Sequence, residues 1–243
     1  MQGKLALAAL VAGPMAFLWP SNASAYLPHS TVVLERVASR RADLAFRTVV
    51  SDGYLDTDAG PVPIWMALRA GRALRIEVRK PEGTEVELRV GRDLYRITPG
   101  ATSNPERLRA DPFLELLGDV RKDPGGRRGL ALLARMGIDP EVLTLARFDG
   151  RPVFVIGAAP GELDRPQLWI DKQYLVPSRW LLPDGTGRLE DVRLTGYHVP
   201  TAGPWFPERM ERWRGEQLLQ RVTFTRAKLN ARVEPRLFSP APR

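Results

Sequence analysis

His29 and His198 are the only two histidines in the 243-residue chain, and it contains no cysteine. Thiol nucleophiles, disulfide frameworks and Cys/His zinc sites therefore have no residues to be built from. Serine hydrolysis fares no better, because no G-x-S-x-G elbow occurs and neither histidine has a partner signature nearby. His29 reads as a terminal surface residue and His198 as the end of a strand. Carboxylates are plentiful but scattered. Glu85 and Glu87 share the strand face opposite Val86 and Leu88, so water is their natural environment, and Glu190-Asp191 reads as surface. Asp56-Thr-Asp58-Ala-Gly60 starts like a calcium loop, yet no glutamate stands at its twelfth position. No Walker loop or dinucleotide fingerprint is present. The residues thus predict no catalytic group, no metal and no cofactor.

What remains for chemistry is an apolar lining, and alternation places it. Val62, Ile64, Met66 and Leu68 alternate with Pro63, Trp65, Ala67 and Arg69, and the series resumes as Leu74, Ile76 and Val78. After Pro81-Glu82-Gly83 it continues as Val86, Leu88 and Val90, then passes the Gly91-Arg92-Asp93 turn. Period-2 alternation of this kind describes half-buried antiparallel strands with one apolar and one wet face. Further strands are expected at 143–148, 153–157, 167–171, 176–182, 189–198, 206–214 and 218–229, with hairpin turns at Asp149-Gly150 and Gly215. About ten or eleven strands are more than a flat sheet tolerates, so the sheet should curl. Its concave face is expected to carry Ile64, Met66, Leu68, Leu74, Ile76, Val86, Leu88, Leu168 and Ile170.

Helices must cover that face. Ser30 is placed to N-cap a helix running to Arg41, with Val33, Leu34 and Val37 on one side. Asp111-Pro112 resembles an N-cap with proline at the first helical position, opening a helix through Phe113, Leu114, Leu116, Leu117 and Val120. A further helix spans 127–136 and stops at Gly137, after a flexible Lys122-Asp-Pro-Gly-Gly-Arg connection. Phe113 and Leu117 are the expected lid contacts. The fold class is mainly β (α+β), a single curved antiparallel sheet forming a half-open barrel with a helical lid.

Hydrophobic residues make up 44% of the chain, enough for one real core and too many for a disordered chain. Residues 1–25 combine Lys4, an apolar run and a small-x-small end at Ala23-Ser24-Ala25. This is the pattern of a signal peptide cleaved after Ala25, leaving 26–243 as one exported domain. The formal charge of +8 is dispersed along the chain, as on a solvated surface, and with export it argues against a nucleic-acid partner.

The C-terminal half carries a family resemblance. Gln167-Leu-Trp-Ile-Asp-Lys172, Leu175-Val-Pro-Ser-Arg-Trp180, Gly196-Tyr197, Trp205-Phe-Pro-Glu-Arg-Met-Glu211, and Lys228-Leu-Asn230 before Leu237-Phe238 resemble, in that order, the LolA-like periplasmic lipoprotein carriers. Ala70-Gly-Arg-Ala-Leu-Arg-Ile-Glu77 resembles a stretch of the same family's N-terminal half. The resemblance implies a monomeric, non-catalytic periplasmic protein whose half-barrel takes up the acyl chains of lipoproteins or other lipids. Membrane-associated proteins would load and receive its cargo on the way to the outer membrane. The alternative it allows is a periplasmic lipid or lipoprotein sensor or regulatory binding module of the same fold. The family's cargo-handling arginine near the early strands would correspond to Arg69, Arg72 or Arg75.

Overall fold

The computed structural model describes residues 27–44, 47–107, 114–115, 122–197 and 205–240. Residues 1–25, expected to be a signal peptide, and Phe113, Leu117, His198 and the expected helix start at Asp111-Pro112 lie outside the described residues.

The first helix, α1 (Ser30–Leu44), precedes a meander of β1 (Thr48–Thr57), β2 (Gly60–Arg69), β3 (Ala73–Lys80), β4 (Gly83–Val90), β5 (Asp93–Thr98), β6 (Ala101–Thr102) and β7 (Glu106–Arg107). Helix α2 (Arg127–Met136) separates it from a second meander: β8 (Leu143–Phe148), β9 (Arg151–Ile156), β10 (Gln167–Asp171), β11 (Pro177–Pro183), β12 (Leu189–Thr195), β13 (Arg209–Arg214) and β14 (Gln217–Leu229). All the pairings are antiparallel, and β1 joins β14, so the two meanders form one curved sheet that stays open between β8 and the β5–β7 edge. Among the described residues fourteen strands stand where about ten or eleven were expected. The additions are β1, β6 and β7.

Strand β1 is hard to read because its inward positions are Val49, Ser51, Gly53 and Leu55, and two of these are not apolar side chains. The sheet needs both. A Cβ on Gly53 would lie 2.2 Å from the Thr223 carbonyl oxygen, where the β1–β14 register slips. Buried Ser51 donates its hydroxyl to the Arg226 carbonyl at 2.7 Å beside the same slip. The bulge therefore selects small and polar residues.

Both helices lie on the concave face. Val33, Leu34 and Val37 of α1 and Leu132, Leu133 and Met136 of α2 share one buried cluster with Met66, Leu68, Leu74, Leu168 and Leu194. Ser30 is the first helical residue and not the cap. The His29 carbonyl accepts from Val32 N–H at 2.9 Å, while the Ser30 hydroxyl is buried with no hydrogen-bond partner. The 122–127 connection is a packed corner. Asp123 is buried and accepts from the N–H groups of Arg128 and Gly129 at 3.1 and 2.9 Å, which ties down donors of the first turn of α2. Gly126, at φ +65°, abuts the Thr31 carbonyl of α1. Among the described residues no helix is long and apolar enough to cross a membrane.

Candidate functional site

Register decides which side chains meet. In the β2–β3 ladder Ile64 faces Val78, Met66 faces Ile76 and Leu68 faces Leu74, so these six share the concave face. From β1 the face continues through Leu55, opposite Val222 of β14, and on through Met210, Leu194, Val192, Trp180 and Leu168. The helices cover part of this surface. Beside them an apolar gap of about 190 Å3 remains, lined by Ile64, Met66, Ile76, Val78, Trp180 and Phe224 among others, with no described helix residue in its wall.

Charge borders the gap on two sides. From β4 come Glu87 and Arg89, joined by a 2.7 Å hydrogen bond. From the opposite arm come Glu190 and Arg212, joined by two bonds of 2.9 Å, with Gln220 accepting from Arg212 at 3.1 Å. The arrangement suits an amphiphile, apolar within and polar at the rim.

Of the expected lining residues, Ile64, Met66, Leu74 and Ile76 line the gap. Leu68, Leu168 and Ile170 lie in the core cluster shared with the helices and do not reach it. Val86 and Leu88 sit on the other side of the sheet. They are packed with Ala67, Ala73 and Phe238 in a separate convex cluster. The cause is a turn of two residues. Lys80 pairs with Gly83, so even-numbered residues of β3 share a face with odd-numbered residues of β4. Glu87 and Arg89 therefore point inward, and Glu87 is not the outward carboxylate that alternation alone suggested.

The three arginines are dispersed, and none lines the gap. Arg75 is buried on the convex side, donating to Glu77 at 2.7 Å and to the Leu237 carbonyl at 3.1 Å. Arg72 is exposed in the β2–β3 turn, at a hollow of about 410 Å3 that is also lined by residues of α1 and α2. Arg69 is half-buried beside the C-terminal segment. The two strand tryptophans divide: Trp180 lines the gap, whereas Trp169 packs on the convex side against Phe148, ring centroids 5.8 Å apart. Sequence reasoning missed Val192, Met210, Val222 and Phe224, although alternation within β12–β14 puts each on one face, and Leu55, which belongs to the unread strand β1.

Tyr197, of the Gly-Tyr pair, is buried and donates its hydroxyl to the Pro177 carbonyl; burial pushes its phenol far above the ordinary range. It locks β11 to the end of β12 and offers no base. Among the described residues no group of three or more His, Asp or Glu side chains could hold a metal ion.

No family model and no curated protein matches the sequence. Solved structures do match. A LolA superfamily protein from Nitrosomonas europaea aligns over 88% of this chain and 98% of its own, at 15% identity and a TM-score of 0.51. A DUF1329 family protein from Desulfovibrio piger aligns over 87% and 98%, at 14% identity and a TM-score of 0.54. The chain has the LolA-like fold.

Proposed function

We propose that this protein is a non-catalytic, extracytoplasmic binder of acyl chains that carries lipoproteins or other lipids through the periplasm towards the outer membrane. The observation behind the reading is the apolar gap, open beside two helices on the concave face of an unclosed sheet. The gap, about 190 Å3, is small beside a long acyl chain, and each methylene it takes out of water contributes about 0.8 kcal/mol. A cargo with several long acyl chains needs more wall than this. Helices α1 and α2 therefore move off the face to admit it, exposing Leu68, Leu168 and Leu194 as further lining.

The test is a displacement titration with a fluorescent fatty acid on the detergent-free protein, beside mass spectrometry of its organic extract. Extractable lipid and saturable uptake are expected. Val78→Phe, which fills the gap from its wall, should weaken uptake at least tenfold with little change in melting temperature. A protein that yields no lipid and takes up no probe would have a filled core, and the carrier reading would fall.

A further inference from the structure

On the convex side three arginines line one hollow of about 540 Å3: Arg47 just before β1, Arg69 at the end of β2 and Arg232 after β14. Val233, Pro235 and Phe238 give it an apolar flank, and no described residue in its wall is a carboxylate. Many other arginines are held differently. Fourteen arginines elsewhere stand within ion-pair distance of an Asp or Glu. Arg47, Arg69 and Arg232 have no such partner among the described residues, and no side-chain hydrogen bond either.

The three are held together by the backbone around them. Arg47 N–H donates to Asn230 Oδ1 at 2.7 Å, Asn230 N–H to the Thr48 carbonyl at 2.8 Å, and the Thr48 hydroxyl to the Ala231 carbonyl at 2.7 Å. Asn230 takes a left-handed conformation, φ +53°, to turn the chain there. Arg47 and Arg232 are thus fixed on adjoining segments, and Arg69 comes from the strand paired with Thr48. Like charges gathered without a counter-charge repel one another, and an anion relieves that repulsion. Guanidinium groups match phosphate oxygens in forked hydrogen bonds. The hollow is far larger than a free phosphate, Arg47 and Arg232 are exposed, and apolar side chains adjoin the charge. A phosphate at the edge of an apolar phase fits all three features.

We infer that this hollow docks the phosphate headgroup of an anionic phospholipid, so that the protein rests on a membrane by its convex side. The inference is independent of the acyl-binding reading, because Arg69 and Phe238 lie across the sheet from the gap. It is tested by sedimenting the protein, as its own host processes it, with phosphatidylcholine vesicles with and without phosphatidylglycerol. Sedimentation should require phosphatidylglycerol and be lost at high salt. Arg47→Gln, Arg69→Gln and Arg232→Gln should each lower the partition coefficient about fivefold, and the triple variant about a hundredfold. A control triple at exposed Arg36, Arg127 and Arg188 removes equal charge and should change it little. Equal loss in both triples, or binding indifferent to phosphatidylglycerol, would overturn the site. Binding of millimolar glycerol phosphate without binding of vesicles would replace the membrane by a soluble phosphate. Near-ultraviolet circular dichroism checks that each variant keeps its fold.

Discussion

Leu88 stands directly opposite Arg75 across the β3–β4 ladder, and Arg75 reaches on to the carbonyl of Leu237, which fastens the C-terminal segment over the convex side. Leu88 is fully buried there, away from the apolar gap. Leu88→Ala should therefore cost about 2–5 kcal/mol in denaturant unfolding. Acyl-probe affinity should stay within about twofold of wild type, corresponding to no more than about 0.4 kcal/mol. A large loss of affinity in a folded variant would contradict the face assignment.

Gly125 and Gly126 have similar positive φ angles, +71° and +65°, but different surroundings. A Cβ at Gly125 meets nothing within 4 Å, whereas one at Gly126 would lie 2.6 Å from the Thr31 carbonyl oxygen. Gly125→Ala should cost about 1 kcal/mol, the penalty of a left-handed alanine. Gly126→Ala should cost clearly more, because α1 must shift away from the corner before α2. Thermal melts of the two variants make the comparison.

Asp123 gives acid a handle on the helical layer. Burial pushes its carboxyl pKa up, but the N–H groups of Gly129 and Arg128 and the Arg128 charge outweigh this and hold it below the ordinary range. A carboxylate whose pKa is depressed by folding contributes stability above its unfolded pKa, about 3.9, and loses it as pH falls towards the folded value. Asp123→Asn keeps an acceptor without the charge and should be less stable by about 1 kcal/mol at neutral pH. The difference should shrink below about pH 4 in urea titrations run across the acid range.

On the convex side Arg179 forms a buried two-bonded pair with Asp191, both bonds 2.7 Å, while its guanidinium lies 4.6 Å from the Trp169 ring centroid. Asp191→Ala leaves the Arg179 charge buried without its partner and should cost about 3–5 kcal/mol. Arg179→Met with Asp191→Leu should recover most of it, since no buried charge is then stranded and Arg193, which also donates to Asp191 at 2.9 Å, is part-exposed and can turn to water. Chemical unfolding of the single and double variants measures the coupling.

Much of this architecture was written locally. The alternation from Val62 to Leu68 needs only neighbouring residues to say that Ile64, Met66 and Leu68 share a face, and they do. Helix α2 matched its expected limits because its apolar spacing and terminal Gly137, at φ +72°, are local signals. The β10 segment 167–171 was equally legible, and so was the curling that a long antiparallel series requires. Strand β1 was not, because its bulge uses Ser51 and Gly53 where an apolar pattern was sought.

What the sequence determined by itself is which residues travel together: a strand's two faces, a helix's one stripe, the turns between them. What only the tertiary structure decided is where each set ends up. Pro81-Glu82-Gly83 marks a turn, but whether two or three residues form the loop sends Val86 and Leu88 to one side of the sheet or the other. The pairing of Lys80 with Gly83 sent them outward, under Phe238, and brought Glu87 and Arg89 to the edge of the gap. The gathering of Arg47, Arg69 and Arg232 from three distant segments had the same origin, since it depends on β14 closing onto β1. Alternation is a property of one strand, whereas the side of a sheet is a property of the register between strands and of what packs upon them.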